Sequence, residues 1–290
     1  MGIGKAVITA AGESQRHLPL QTIVDGRGRN RKILGLLVDE VTSAGIEEVG
    51  VVIRPGTEEF YRDAVDEVSA NVTFIEQHNP RGYAHAVISA SDYTDGEPFM
   101  LMVSDHVYVS DSPGKSCARQ LIEVAEKEEC VVSGVQPTHE GRLADFGAVG
   151  GTPFDTKRDL YEVHAVMEKP TPTDAEQRIM TPGIRHGYYL CFFGMHVLQP
   201  SVMEILKRRE TELQPGENLD LSEALNEAAQ RGRYLAQVMN GRRYDLDCRH
   251  GILIGQLAVG LSGSHRDEVL SAITDLLANG AKRISAAQSS

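Results

Sequence analysis

Lys5-Ala-Val-Ile-Thr-Ala-Ala-Gly-Glu-Ser-Gln-Arg16 runs directly into His17-Leu-Pro-Leu20. The apolar run Lys5–Ala11 reads as a strand. Gly12 ends it in a tight turn, and Arg16 follows four residues on. A strand that empties into a polar, glycine-containing loop presents backbone N–H groups and one cation above the sheet. Clustered N–H donors stabilise anions, so this geometry suits a nucleoside triphosphate. An ordinary βα turn with a surface arginine fits the same residues, and the segments downstream decide between the two.

Those segments alternate. Helical periodicity over Lys32–Ala44 places Ile33, Leu36, Leu37 and Val41 on one face. Glu48–Arg54 is the next strand, stopped by Pro55-Gly56. Glu58–Val68 reads as helix, Val72–Glu76 as strand and Gly82–Ala90 as helix. Pro98–Ser104 has the continuous apolar character of a central strand. Ser116–Glu128 reads as helix and Cys130–Val135 as strand. Such βαβα alternation implies right-handed crossovers and a largely parallel, doubly wound sheet. Ligands in such sheets sit beyond the carboxyl ends of the strands, where Gly12, Gln77 and Asp105 fall.

The second half is less regular. Phe146–Gly151, Tyr161–Met167 and Gly187–Gly194 read as strands of an inserted β-rich piece. Val197–Arg208, Leu221–Arg231, Ile252–Leu261 and His265–Asn279 read as helices. The expected fold class is α/β: a Rossmann-like, doubly wound mixed sheet with a small β-rich insertion and C-terminal helices. The expected division is a catalytic domain over residues 1–250, its β-rich part at about 140–200, and a helical segment over 251–290.

Composition narrows the partners. A chain of 290 residues is near the limit of one core. The net charge is −12, and the only basic cluster spans Arg27–Lys32. This balance argues against nucleic acid and anionic membrane as partners. No stretch approaches the roughly 18 apolar residues of a membrane span, and the N-terminus enters a strand without a signal-peptide pattern. Cys117, Cys130, Cys191 and Cys248 show no CxxC spacing and read as reduced thiols of a cytoplasmic protein.

Four segments carry candidate chemistry. Asp105, at the end of the buried strand, is a natural Mg²⁺ ligand beside a triphosphate; a strand-terminating turn is the plainer reading. Gln77 offers a donor and an acceptor in one plane, which can read a pyrimidine edge, and Gly82 permits close approach of a flat base. Glu168-Lys169 ends another strand. In a cleft, its carboxylate would meet a sugar hydroxyl and its ammonium a phosphate. Tyr244-Asp245 offers a second carboxylate to complete a divalent-metal site with Asp105. The Asp/Cys/His mixture of residues 245–250 lacks the ligand spacing of a zinc site.

In order and spacing, these motifs resemble the sugar-phosphate nucleotidyltransferases, most closely the bacterial UTP–glucose-1-phosphate uridylyltransferases. The resemblance covers about residues 4–260. It rests on Lys5–Pro19, on Gln77, Gly82 and His85-Ala86-Val87, on Asp105, on Phe146-Gly147 and on Val166–Pro170. Gly216-Glu217 with Leu221–Ala224, and Tyr244-Asp245 with Arg249 and Gly251, complete it. The resemblance implies transfer of UMP from UTP to a sugar 1-phosphate, with Mg²⁺ held by Asp105 and Asp245. It implies that Ala11, Gly12, Glu13 and Arg16 hold the triphosphate and that Gln77 and Gly82 read uracil. Gly147, Glu168, Lys169 and Arg249 would hold the sugar phosphate. A homodimer or homotetramer is the expected assembly.

The sequence departs from the family pattern at three places. Ser14 replaces a glycine of the first loop. Asp247 stands where the family has glycine, placed either to join the metal or to repel the triphosphate. The segment Gln21–Asn30 is shorter than in the family and lacks its lysine, leaving Arg27, Arg29, Arg31 and Lys32 as candidate substitutes, although arginine and lysine are not equivalent at such sites. Two functions therefore stay open: an active uridylyltransferase, or thymidylyltransferase using dTTP, and a nucleotide-sugar-binding protein with little turnover.

Overall fold

The computed structural model describes residues 2–13, 17–157, 159–214 and 216–287, with side chains to residue 279. The chain opens with β1 (Lys5–Thr9), a hairpin of β2 (Thr22–Val24) and β3 (Asn30–Lys32), and α1 (Ile33–Thr42). Then come β4 (Glu48–Ile53), α2 (Glu58–Arg62), β5 (Asn71–Glu76), α3 (Tyr83–Ser89), α4 (Ser91–Thr94) and β6 (Phe99–Val103). β7 (His106–Ser110), α5 (Cys117–Glu128) and β8 (Val131–His139) follow, and a 3-10 turn (Glu140–Asp145) leads into β9 (Ala148–Asp155) and β10 (Leu160–Met167). The remainder is α6 (Pro172–Arg178), β11 (Tyr188–Leu198), α7 (Pro200–Glu212), α8 (Leu221–Arg231), β12 (Tyr234–Val238), β13 (Gly241–Asp245), α9 (Gly251–Ser262) and α10 (Arg266–Ala287).

Among the described residues, nine strands form one mixed sheet in the order β5-β4-β1-β6-β11-β8-β12-β10-β9. The first four are parallel. Beyond them the sheet is mixed: β11 runs antiparallel to both β6 and β8, while β8 and β12 pair parallel. The β-rich stretch is not set apart as a sheet of its own: β10 pairs with β12 and β9 with β10, extending the main sheet. It does keep a small core, formed by Leu143, Phe146, Ala148, Ala175, Ile179, Tyr189 and Cys191.

Side chains alternate across the sheet as strand geometry requires. Ile8, Met100 and Met102 face α1 and α5 in one core, and Val7, Phe99 and Leu101 face α3, α7 and α8 in the other. Along α1, Ile33, Leu34, Leu37, Val38 and Val41 are all buried, the stripe that seats a helix on a sheet. Ser116 caps α5 by accepting from Arg119 N at 3.1 Å.

Several boundaries differ from expectation for identifiable reasons. α2 stops at Arg62 because the chain tightens into turns, with Ala64 N on Tyr61 O and Val65 N on Arg62 O. β8 continues to His139 despite Pro137, because its pairing with β12 ends at Val135 and the missing N–H faces no strand there. β11 runs through Leu198, so α7 begins at Pro200, a favoured first helical residue.

Candidate active site

Strand order reverses at β1, which lies between β4 and β6, so the ligand crevice of this sheet opens at its carboxyl end. Ala11, Gly12 and Glu13 lie there, Ala11 buried and the other two exposed. Arg16 and Ser14 lie outside the described residues. The backbone before the loop is held firmly: Ala10 N donates to Val52 O at 2.8 Å, and the Tyr61 hydroxyl donates to Ala10 O at 3.1 Å. Arg54 Nε donates to Ala11 O at 2.9 Å. Sequence reasoning missed Arg54, although its place at a strand's carboxyl end, just before Pro55-Gly56, is the kind of signal that singled out Asp105.

Arg54 and Gln77 line an open recess of about 540 Å³ with Pro55, His78, Asn79 and Pro80. Gln77 is 4% exposed. Its Nε2 donates to His85 Nδ1 at 3.0 Å, which fixes the amide and puts the ring proton of His85 on Nε2, 3.3 Å from Glu210 Oε1. Gly82 is required for a reason beyond approach of a base. Its φ is +95°, and an added Cβ would meet Leu219 O at 2.8 Å. Leu219 N donates to Arg81 O at 2.7 Å, so Gly82 lets the loop before α8 close over the start of α3.

Asp105 and Asp245 are brought together by a two-stranded ribbon. β7 and β13 pair with His106 opposite Asp245, and Leu246 N donates to Asp105 O at 2.7 Å. His106 Nδ1 donates to Asp105 Oδ1 at 2.6 Å, so the proton sits on Nδ1. Asp247 N donates to Asp245 Oδ1 at 2.9 Å; Asp247 orients the neighbouring carboxylate through its backbone while its own side chain is exposed. Among the described residues, no group of three or more His, Cys, Asp or Glu side chains gathers as a metal cluster. Two carboxylates fit magnesium all the same, because that ion commonly takes one or two carboxylates and completes its shell with substrate phosphates and water.

Gly147, Glu168 and Lys169 also meet. A Cβ at Gly147 would lie 2.8 Å from Glu168 Oε2 and 2.7 Å from Phe192 Cδ2, so the absence of a side chain is what lets the carboxylate lie over the strand. Lys169 N donates to Phe146 O at 3.2 Å. The Ser222 hydroxyl, in the first turn of α8, donates to Glu168 Oε2 at 2.6 Å. Crowding by the protein pushes the Glu168 carboxyl above its usual range, with Asp220 adding to the effect, while Ser222 and Lys169 oppose it. Glu168 still keeps an exposed face. Ser222 was missed as a site residue, although it lies within the Leu221–Ala224 motif. Arg249 is exposed, and no described contact joins it to this group.

The hairpin engages two of the four candidate substitutes for the missing lysine. Arg29 is bound through Nε and Nη2 to Asp25 Oδ2 at 2.9 and 2.8 Å. Arg31 pairs with Asp39 at 3.0 Å and Glu67 at 3.5 Å. Gln256 of α9 clasps Val24 on both backbone groups, at 2.8 and 2.9 Å, and Ser264 N donates to Gly26 O at 2.8 Å. Arg27, Arg29 and Arg31 line a recess with Ser264 and His265 that shares no residue with the recess at Gln77. Arg29 and Arg31 therefore fasten the hairpin, held by carboxylates of the hairpin itself, of α1 and of the turn after α2.

The sequence profile described as Nucleotidyl transferase matches residues 5–247. The chain belongs to this family. It is a nucleotidyltransferase, and the alternating strands and helices carry the family's mixed α/β architecture. A UTP–glucose-1-phosphate uridylyltransferase of Bacillus subtilis (strain 168) is 26% identical over 307 residues, covering 95% of this chain and 96% of the relative. UTP–glucose-1-phosphate uridylyltransferase 2 of Streptococcus pyogenes serotype M1 is also 26% identical, over 87% of this chain and 88% of the relative. Among solved structures, a UDP-glucose pyrophosphorylase complexed with UDP-glucose shares the fold at TM-score 0.71 and 22% identity, covering 88% of this chain and 98% of its own. The UTP-bound enzyme from Acinetobacter baumannii does so at TM-score 0.74 and 21% identity, covering 94% and 99%.

Proposed function

We propose that this nucleotidyltransferase joins UTP to glucose 1-phosphate, giving UDP-glucose and pyrophosphate. The observation that carries the reading is the seat of Glu168: a carboxylate lying over Gly147, held by Ser222, with Lys169 beside it. A carboxylate so fixed suits a sugar hydroxyl, and the adjacent ammonium suits the phosphate on the same sugar. Both named relatives use UTP and glucose 1-phosphate according to their names, which agrees with that chemistry.

A phosphate oxygen of the sugar phosphate is the nucleophile, and it is anionic at neutral pH, so no general base is needed. It bonds to the α-phosphorus of UTP as the bond to the β-phosphate oxygen breaks, and pyrophosphate leaves with that electron pair. Catalysis is then positioning and charge neutralisation. Ala11, Gly12 and Glu13, with Arg16, hold the triphosphate; Arg54 braces that loop. Gln77 and Gly82 take the uracil. Gly147, Glu168, Lys169 and Arg249 hold the sugar phosphate. Asp105, oriented by His106, and Asp245, oriented by Asp247 N, would hold magnesium, which when bound neutralises charge on the reacting phosphates.

We place the enzyme in the reducing cytoplasm, in keeping with four free cysteines and with no described helix long and apolar enough to cross a membrane. The exposed Ile252, Leu253, Leu276 and Leu277 of the C-terminal helices offer a face on which copies of the chain would pair.

The second reading, a nucleotide-sugar-binding protein with little turnover, draws on the hairpin, where Arg29 and Arg31, two of the four candidate substitutes for the missing lysine, are taken up in ion pairs. Pyrophosphate release tests both. Release that needs UTP, glucose 1-phosphate and Mg²⁺ together supports transfer. UDP-glucose binding without release under any nucleotide and sugar phosphate supports the second.

A further inference from the structure

Arg243 on β13 is 8% exposed, and its Nη1 has no hydrogen-bond partner. Among the described residues, no carboxylate forms an ion pair with it. Its guanidinium lies 4.0 Å from the centre of the Phe146 ring, and that of Arg142 lies 5.0 Å from the same centre. Cation–π attraction to the ring offsets only part of what burial costs an uncompensated charge. Arg142 has a partner, Asp145 Oδ2 at 3.1 Å; Arg243 is left without one, beside a second cation that disfavours its charge further. An anion entering between them supplies what Arg243 lacks.

There is room for one. The two arginines, Phe146, Gln136, His139 and Asp245 line a recess of about 200 Å³. That is below the ~300 Å³ at which pockets for drug-sized ligands begin, so it excludes a nucleotide and admits a tetrahedral oxyanion. Guanidinium groups present paired N–H donors that match phosphate oxygens. Residues two apart on a strand share a face, which puts Asp245 at the same recess as Arg243. Phe146 links the recess to the cleft, its ring against both guanidiniums and its carbonyl accepting from Lys169 N at 3.2 Å.

We propose that Arg243 and Arg142 form a phosphate-binding pocket separate from Lys169, taking a phosphate dianion carried by a sugar phosphate or free as inorganic phosphate. This deepens the proposed function and rests on it only for the carrier of the phosphate. The acidic Asp245 on one wall means that the arginines alone supply attraction.

Calorimetric titration of the full chain, without nucleotide, tests the pocket with inorganic phosphate, glucose 1-phosphate and uncharged glucose. In Arg243→Gln, at least one phosphate ligand is expected to bind about tenfold more weakly or worse, the scale of a lost charged hydrogen bond. Arg142→Gln should weaken the same ligand less, and glucose should not respond. Loss for glucose 1-phosphate alone assigns the pocket to the sugar phosphate; loss for both assigns it to the phosphate group itself. Unchanged affinity for both anions in Arg243→Gln, or no binding of either to the unaltered chain, overturns the proposal. If Arg243→Gln fails to fold by circular dichroism, the exposed Arg142→Gln decides in its place, and unchanged binding there overturns it. A chain that makes no UDP-glucose yet binds phosphate through Arg243 keeps this inference and loses the previous one; synthesis with unaltered phosphate binding does the reverse.

Discussion

The seat of Glu168 and the hairpin at residues 22–32 are both polar segments in which charged side chains were expected to meet substrate. They end in opposite arrangements. Around Glu168 the protein provides a floor without a side chain, Gly147, and a neutral donor, Ser222. The carboxylate is oriented, and among the described residues its neighbour Lys169 is the cation that favours its charge. In the hairpin, Arg29 is matched to Asp25 and Arg31 to Asp39 and Glu67. Burial pushes the Asp25 carboxyl up, yet the hydrogen bonds from Arg29 and Arg27 outweigh that and leave it below its usual range. The lesson is that a charged side chain held by neutral groups is available to a ligand, and one matched by an opposite charge is already used.

Four substitutions would break or sharpen this contrast. Asp105→Asn should have the largest effect, a loss of about two to three orders of magnitude in Mg²⁺-dependent turnover, with the circular dichroism spectrum unchanged; turnover near the original level would remove Asp105 from the metal site. Gly147→Ala comes next. Its Cβ would overlap Glu168 and Phe192, and displacement of the carboxylate should raise KM for glucose 1-phosphate about tenfold or more, with overpacking lowering stability by about 1–3 kcal/mol. An equal rise in KM for UTP would place the damage elsewhere.

Ser222→Ala should weaken glucose 1-phosphate by about fivefold to tenfold, the scale of one hydrogen bond to a charged group. It also has a pH signature. The Ser222 hydroxyl stabilises the ionised form of Glu168 and opposes the upward push of burial. Its removal lets the pKa rise further, so the acid limb of the kcat/KM profile should move to higher pH. A limb that stays in place would detach Glu168 from sugar binding. The smallest effect belongs to the hairpin. Arg29→Ala breaks a half-exposed pair worth about 0–1 kcal/mol, so the melting temperature should fall by a few degrees at most and KM for UTP should stay within twofold. A tenfold rise in KM for UTP would show that the hairpin does reach the triphosphate, and the contrast would fail.

Much of this was legible in the sequence because the relevant forces are local. The apolar runs at 5–11 and 98–104 could only be buried strands, and their polar ends marked the crevice. Gly147 was marked only by the family resemblance, as a sugar contact; that it also leaves room for Glu168 of the same chain appears only in the fold. The strands β7, β12 and β13 escaped notice because each is short and takes its stability from a partner far away in sequence. Arg243 escaped for the same reason: nothing in Gly241-Arg-Arg-Tyr-Asp245 tells which arginine turns inward. The arginines of the hairpin misled because pairing with Asp39 and Glu67 depends on where α1 and the turn after α2 lie, which only the folded chain reveals.

The seat of Glu168 is proposed to serve transfer of a nucleotidyl group to a sugar phosphate. Pyrophosphate release is the most direct test, measured with UTP, glucose 1-phosphate and Mg²⁺, with dTTP and other sugar 1-phosphates in parallel. The expected result is release that needs all three components and falls sharply in Gly147→Ala. Absence of release with every nucleotide and sugar phosphate, from a chain whose melting temperature UDP-glucose still raises, would contradict it.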